Sequence, residues 1–345
     1  MREETGVALA GLTTLRLGGP ARRLIVAETE DEIVSVVRSA DAAGEPLLVL
    51  GGGSNLVVAD AGFDGTVLRI ATHGMAPAAP AALAEHVLQL EAGVDWDSAV
   101  ALAVHEGYAG VEALSGIPGL AGATPIQNIG AYGQDVSQTV AWVRALDRTT
   151  GDVVRLDNAG CGFSYRNSAF KGAGRYVVLS VAFALEHSRA GRPVRYAELA
   201  RHLGIEVGES APAVEVRAAV LDLRRAKGMV LDASDHDTWT AGSFFTNPML
   251  TAQDAERLPE DAPRWPEPDG RVKASAAWLI EHSGFGRGYG SGPARLSGKH
   301  TLALTNRGGA STDDLLALAR EVRAGVRARF GVELVPEPVL VGCSL

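Results

Sequence analysis

Four stretches and one lone glutamate carry residue types that could do chemistry. Gly51-Gly52-Gly53-Ser54-Asn55 follows the apolar run Pro46-Leu47-Leu48-Val49-Leu50. Glycines let main-chain N–H groups approach a phosphate without interference from a Cβ, and Ser54 and Asn55 add side-chain hydrogen bonds. A tight turn with no ligand is the equal alternative. The spacing does not fit GxGxxG, and GxxxxGK[ST] does not occur, so neither dinucleotide fingerprint nor P-loop is indicated. The second stretch runs from Gly116-Ile117-Pro118-Gly119 through Gly122-Ala123-Thr124-Pro125 and Gln127-Asn128-Ile129 to Tyr132-Gly133. So many Gly, Pro and small residues exclude an ordinary helix or central strand. Its buried amides need partners, which a bound cofactor is expected to supply. A long surface loop fits poorly with the apolar Ile117, Ile126 and Ile129.

The third stretch, Tyr165-Arg166-Asn167-Ser168-Ala169-Phe170-Lys171, sets an arginine among aromatics. The guanidinium fork matches a carboxylate, although a surface ion pair is the commoner fate of an isolated arginine. In the fourth, Ala241-Gly242-Ser243-Phe244-Phe245-Thr246-Asn247-Pro248, the serine is not in a GxSxG elbow. It is either a proton donor held in a dry pocket or a strand-end serine satisfied by backbone. Glu337 reads as a solvated face unless its strand returns to the same pocket.

The charge balance narrows the partners. A formal net charge of −9 argues against nucleic acid, which asks for a clustered basic surface. A small anionic substrate remains compatible, because local cations decide a pocket. Cys161 and Cys343 form no CxxC, and the histidines show no ligand spacing, so no metal is expected. Met1-Arg2-Glu3-Glu4 opens no apolar leader, and no run reaches the ~18–20 residues of a span, so a reduced cytosol and no membrane insertion are expected.

These residues need elements to position them. Thr29-Glu30-Asp31-Glu32 predicts a capping box, with Glu32 reaching back to the Thr29 amide, and a helix then runs to Gly44. Residues 73–86, rich in Ala and Pro at 76–84, suggest a linker or insertion. A helix starts at Asp95 or Asp97 and ends near Gly107. From residue 139 the period changes to two, with a hairpin over 143–156 and a strand over 176–181, which indicates an antiparallel α+β region. Further helices are expected over about 213–226 and 273–282, and one capped by Ser311 or Thr312 that stops at Gly331. A final strand, Val335 to Val341, would hold Glu337.

Taken in this order, GGGSN, GIPGLAGATPIQNIGAYG, YRNSAFK and AGSFFTNP resemble the UDP-N-acetylenolpyruvoylglucosamine reductase family, from Thr13-Thr14-Leu15-Arg16 to Pro336-Glu337. The resemblance implies an α+β protein with PCMH-type FAD-binding domains and a C-terminal α+β substrate-binding domain. The parts implied are 1–72 with 331–345 as FAD-binding subdomain 1, 73–228 as subdomain 2, and 229–330 as the substrate-binding domain. It implies FAD, here non-covalent because the 51–55 loop has neither His nor Cys, and NADPH as reductant in a pocket shared with a UDP-sugar substrate. A monomer is the expectation.

The same resemblance implies roles. The flavin delivers hydride to the enolpyruvyl methylene carbon. Arg166 stabilises the enolate-like charge with Glu337 as its acidic partner, and Ser243 protonates the carbanion. The flavin contacts fall on Gly51, Gly52, Gly53, Ser54, Asn55, Gly119, Gly122, Ala123, Thr124, Pro125, Gln127, Asn128 and Ile129. Tyr196 grips substrate, Lys227 meets its diphosphate, and Asn247 and Tyr132 join this group, the latter marking the tyrosine-loop subtype. Position 246 is Thr where some members carry Lys, so a charged contact is absent there. The competing reading is an FAD-dependent sugar or alcohol oxidase on the same scaffold.

Overall fold

In the computed structural model, which describes residues 1–78, 86–172 and 174–345, Thr29 stands extended and accepts the Glu32 amide at 3.3 Å. That bond begins the helix Glu30–Ala43, and Gly44, at φ 62°, ends it in the left-handed conformation. The expected capping box is only half present. The Glu32 carboxylate takes the Glu28 amide and the Met1 ammonium instead of the Thr29 amide. Ile33, Val36, Val37 and Ala40 line the buried face, and the first three pack with Ile25, Ala27, Leu68 and Ile70.

The chain divides into two compact units. The first comprises Met1–Gly6, Arg22–Gly52 and Asp64–Ala226. One of its sheets has the strand order Arg2–Ala8, Pro20–Ala27, Phe63–Ile70, Leu47–Leu50, the last two parallel. Another is antiparallel, in the order Asp152–Asp157, Val140–Asp147, Tyr176–His187, His86–Glu91, Met75–Ala78. The long strand expected from the period-two pattern lies at its centre, with the expected hairpin beside it and Asp152–Asp157 as the edge, in agreement with the α+β reading. Residues 75–78, expected to be linker, are instead an edge strand on His86–Glu91, where Pro77 is tolerated. The remainder of the Ala/Pro-rich stretch lies outside the described residues.

The helix Trp96–His105 covers this sheet. Its N-cap is Asp95, which leaves Asp97 for a bidentate pair with Arg217 at 2.6 and 2.9 Å. Asp97 also accepts the Gly116 amide at 2.6 Å, anchoring the start of the glycine-rich stretch. Trp96, 2% exposed, meets Phe183 at 5.3 Å between rings and donates its indole N–H to the Leu114 carbonyl.

The second unit comprises Val7–Ala21, Gly53–Phe63 and Lys227–Leu345. Its spine is the helix Thr312–Phe330, opened by a full capping box between Ser311 and Asp314 and closed by Gly331 at φ 69°. Leu315, Leu316, Ala319, Val322 and Val326 are buried in a core with Leu279, Ile280, Phe244 and Phe245. The helix expected from Lys273 begins only at Ala276, because Ser275 takes the N-cap and Lys273 lies in the strand Val272–Ala274. The final strand is also shorter than expected, Val339–Val341, in parallel with Leu56–Val58. Pro336 and Pro338 have no N–H to give a ladder, so Glu337 sits in the extended segment before it. Among the described residues no helix is long and apolar enough to cross a membrane, and no group of three or more metal-ligating side chains could hold an ion.

Asp147, at the mouth of the central hairpin, accepts a fork from Arg175 at 2.5 and 3.0 Å and the Thr149 amide at 3.0 Å. The guanidinium hydrogen bond, above all, pulls its carboxyl down to about 2, against the opposing pull of burial. A carboxylate with a depressed folded pKa stabilises the fold above its unfolded value of about 3.9 and loses that contribution as the pH falls through the folded value. Asp147→Asn is therefore expected to unfold at lower urea than the parent at about pH 7, with the gap closing between about pH 4 and 2. A gap constant over that range would show that this pair does not stabilise the fold.

Candidate active site

Two glycine-rich segments of the first unit meet backbone to backbone. A Cβ on Gly52 would lie 2.8 Å from the Gly119 Cα, and one on Gly122 would lie 2.5 Å from the Ala92 Cβ. Gly51 faces the Leu120 side chain at an ordinary 3.6 Å. Gly119 gives its carbonyl to the Trp96 amide and adopts φ 125°, a conformation that side chains rarely take. Gly52 and Gly119 thus bare main chain on both segments, the kind of cradle a diphosphate requires.

The amides of the second stretch are satisfied differently from the expectation. Gly116 donates to Asp97, while Ala121 and Gly122 donate to the carbonyls of Val94 and Ala92. Ala123, Thr124, Ile126, Asn128 and Ile129 donate to carbonyls within the stretch. A 3₁₀ turn over Ala121–Ala123 makes these short-range bonds possible, and Thr124 adds its hydroxyl to the Ala121 carbonyl at 2.8 Å. The stretch is therefore held largely by protein hydrogen bonds.

Arg166 is bolted to this stretch. A tight turn joins Ser164 and Asn167 by reciprocal backbone bonds, with Arg166 inside it at φ 52°. Its Nη2 donates to the Gly130 carbonyl at 2.9 Å and its Nη1 to the Asn128 carbonyl at 3.4 Å. Asn128 Nδ2 donates back to Ser164 at 3.2 Å, and the Ser168 hydroxyl donates to Ile126 at 2.7 Å. Lys171 Nζ holds the Arg166 carbonyl at 2.8 Å. Among the described residues the non-glycine positions with positive φ are Arg16, Asn128, Tyr132 and Arg166, and the last three belong to this one cluster. Left-handed backbone at such residues costs of order 1–3 kcal/mol each, and it persists where surrounding bonds over-determine it.

Tyr132 and Tyr196 meet edge to face at 5.5 Å and 89°. Burial pushes the Tyr132 phenol up to about 12, so it remains a neutral donor through the physiological range. Arg224, in the helix Ala213–Ala226, was not singled out from the sequence. Burial lowers its guanidinium to about 10, with the positive charge of Arg166 a lesser contributor, and the Nε atoms of both arginines lie out of solvent contact. Arg224 stays charged at neutral pH and, with the Arg166 guanidinium beside it, gives this cluster a positive field within an acidic protein.

In the second unit, Gly53, at φ 61°, would place a Cβ 2.0 Å from the Leu12 carbonyl oxygen. Beyond Ser54, Asn55 gives its carbonyl to the Val339 amide at 2.9 Å and its Nδ2 to the Glu337 carbonyl at 3.5 Å. The Glu337 amide donates to Phe244 at 2.8 Å, and Phe245 bridges Pro336. Phe244 and Phe245, each 1% exposed, therefore anchor half-buried Ser243 beside the chain that carries Glu337. The returning C-terminal segment thus brings Asn55, Ser243 and Glu337 into one neighbourhood. Asn247 spends its carbonyl on the Ala276 amide at 3.0 Å, leaving its NH₂ as the group available to a substrate. Lys227 follows the helix Ala213–Ala226 directly.

Comparison with known proteins agrees with this geometry. Residues 21–157 match a family described as an FAD binding domain, and residues 234–341 match the C-terminal domain of UDP-N-acetylenolpyruvoylglucosamine reductase. The UDP-N-acetylenolpyruvoylglucosamine reductase of Thermobifida fusca is 56% identical, with 98% of each chain covered. That of Streptomyces avermitilis is 59% identical over 98% of this chain and 94% of its own. The crystal structure of the Thermus caldophilus reductase superposes with a TM-score of 0.67 at 25% identity, covering 99% of both chains. Identity at this level along the whole length of such relatives leaves one conclusion: the chain belongs to the UDP-N-acetylenolpyruvoylglucosamine reductase family.

Proposed function

We propose that this enzyme reduces the enolpyruvyl ether of UDP-N-acetylglucosamine to UDP-N-acetylmuramate, using NADPH as reductant and non-covalent FAD as carrier. Identity to reductases along nearly the full chain is the observation that carries the reading. The reaction belongs to peptidoglycan precursor synthesis and would run in the cytoplasm, where NADPH and nucleotide sugars are made.

The residues fit FAD. Gly52 comes so close to Gly119 that it does not tolerate a Cβ, and Gly53 is confined by the Leu12 carbonyl. We assign the flavin nucleotide to Gly51–Asn55 together with Gly119, Gly122–Pro125 and Gln127–Ile129. Neither His nor Cys lies in 51–55 to tether it. Bound there, FAD would supply two-electron hydride chemistry between NADPH and the methylene carbon of the substrate.

The chain's own groups handle the charge and the proton. Arg166, held in place by the Asn128 and Gly130 carbonyls, brings its positive charge to the substrate carboxylate, where negative charge builds as the double bond is reduced. The Ser243 hydroxyl gives a proton to the neighbouring carbon. Glu337 assists by sharing a proton with the carboxylate or with Ser243, since two bare anions would repel. Tyr132, kept neutral by burial, donates a hydrogen bond without adding charge. Tyr196, Lys227 and the Asn247 NH₂ hold the nucleotide end, with Lys227 on its diphosphate.

Ser243→Ala should bleach its flavin with NADPH at the parental rate, yet reoxidise with the enolpyruvyl nucleotide about 10²–10⁴-fold more slowly in anaerobic stopped flow. Undiminished reoxidation would remove Ser243 from the proton transfer. Arg166→Ala should lose on the order of 10²–10³ in kcat/KM; a variant within twofold of the parent would refute the assignment. Peroxide formed from a sugar alcohol, with no turnover of the enolpyruvyl nucleotide, would point to the oxidase instead.

A further inference from the structure

Glu112 is fully buried, in the 3₁₀ turn Glu112–Leu114. Burying a carboxylate is costly unless donors compensate it. Its Oε2 accepts the Gly110 amide at 2.5 Å, and its Oε1 accepts the Arg192 amide at 2.7 Å and Gln134 Nε2 at 2.9 Å. The Arg192 guanidinium is turned to Glu186 instead, at 2.9 Å from Nε and 2.8 Å from Nη2. Among the described residues, then, this carboxylate is held by neutral N–H groups from three separate segments.

Gln134 is gripped at both ends, because its Oε1 also accepts the Ala113 amide at 3.1 Å. It opens the second strand of a two-pair ladder, Gln134 opposite Ala131 and Asp135 opposite Gly130. The turn between them is Tyr132-Gly133, with φ of 50° and 84°, a pair of left-handed residues that needs support when the first is a tyrosine. The Gly130 carbonyl of this hairpin receives Arg166 Nη2, and the Arg192 amide begins the segment that leads to Tyr196.

We infer that Glu112 and Gln134 are positioning residues, a buried latch that holds the Tyr132 hairpin and the Gly130 carbonyl in place and thereby orients the Arg166 fork. The inference rests on the proposed role of Arg166. The latch touches no substrate. It acts through the hairpin, and loosening it moves the acceptor that aims the guanidinium, where a displacement of about 1 Å can cost 10²-fold in rate.

Gln134→Glu tests this with a readout that general destabilisation does not produce. In acid the new carboxyl keeps its proton and donates to Glu112, preserving the latch, while its second oxygen still accepts the Ala113 amide. Above the upper pKa of the pair, two buried carboxylates repel and the hairpin is prised away. The other charged groups nearby are the Arg192–Glu186 pair, the Asp97–Arg217 pair on the two helices packed against the Glu112 turn, Asp135, whose carboxylate caps the Ser137 amide at 3.1 Å, and Arg166 itself. Reoxidation of the NADPH-reduced holoenzyme by enolpyruvyl nucleotide, relative to the parent, is expected to be near parental at about pH 5 and to fall on the order of 10–10²-fold by about pH 8.5. Flavin reduction by NADPH, flavin content and Tm should follow the parent at the acid end. Gln134→Ala, which adds no charge, should show a smaller drop in reoxidation that does not vary with pH. Parental reoxidation by both variants at every pH, while Arg166→Ala is crippled, would overturn the latch alone. Flavin content and both half-reactions falling in parallel would show a merely structural residue and also overturn it. Arg166→Ala at parental speed would sink the role of Arg166 and this inference with it.

Discussion

A buried irregular main chain needs acceptors for its N–H groups, and most of those in the stretch 116–129 find them without a regular ladder. Asp97 takes its first amide, the strand end at Ala92–Val94 takes two more, and a 3₁₀ turn folds most of the others back on the stretch itself. Once its donors are settled, its carbonyls become a surface on which other groups can be mounted. Arg166 uses two of them, at Asn128 and Gly130, and Ser168 uses a third at Ile126. The candidate site of the first unit is built on main-chain acceptors that glycine and turn geometry leave facing outward.

That foundation explains the electrostatics. The chain carries a net charge of −9, yet the cluster around Arg166 is positive, with Arg224 buried nearby. Tyr132 contributes a neutral phenol to it, because burial opposes ionisation. An anion entering this cluster meets fixed cations and one neutral donor, whatever the sign of the protein's far field.

In the second unit the organising device is a return of the chain. Two prolines flank Glu337, so the segment passes Phe244 and Asn55 on isolated main-chain contacts before the parallel ladder begins at Val339. The buried pair Phe244–Phe245 then serves both as core and as the anchor of Ser243.

Most helix ends, the glycine turn after Leu50, the hairpin over 143–156 and the family itself were legible in the sequence, because each is written in local chemistry: a cap residue, a β-forbidding glycine run, a period of two, or a family's motif. What the tertiary structure alone decided are pairings between residues far apart in the chain. Asp97 could cap a helix or pair with Arg217, and only packing put Arg217 within reach. Residues 75–78 look like linker, but a neighbouring strand offers them a ladder. Glu32 finds the Met1 ammonium, which no local pattern announces. Glu112 and Gln134 look like ordinary polar residues until three segments close around them, and Arg224 is one arginine of a basic helix end until burial separates it from water. Local propensity is set by the few residues on either side, whereas burial and long-range hydrogen bonds exist only once the whole chain has chosen its neighbours.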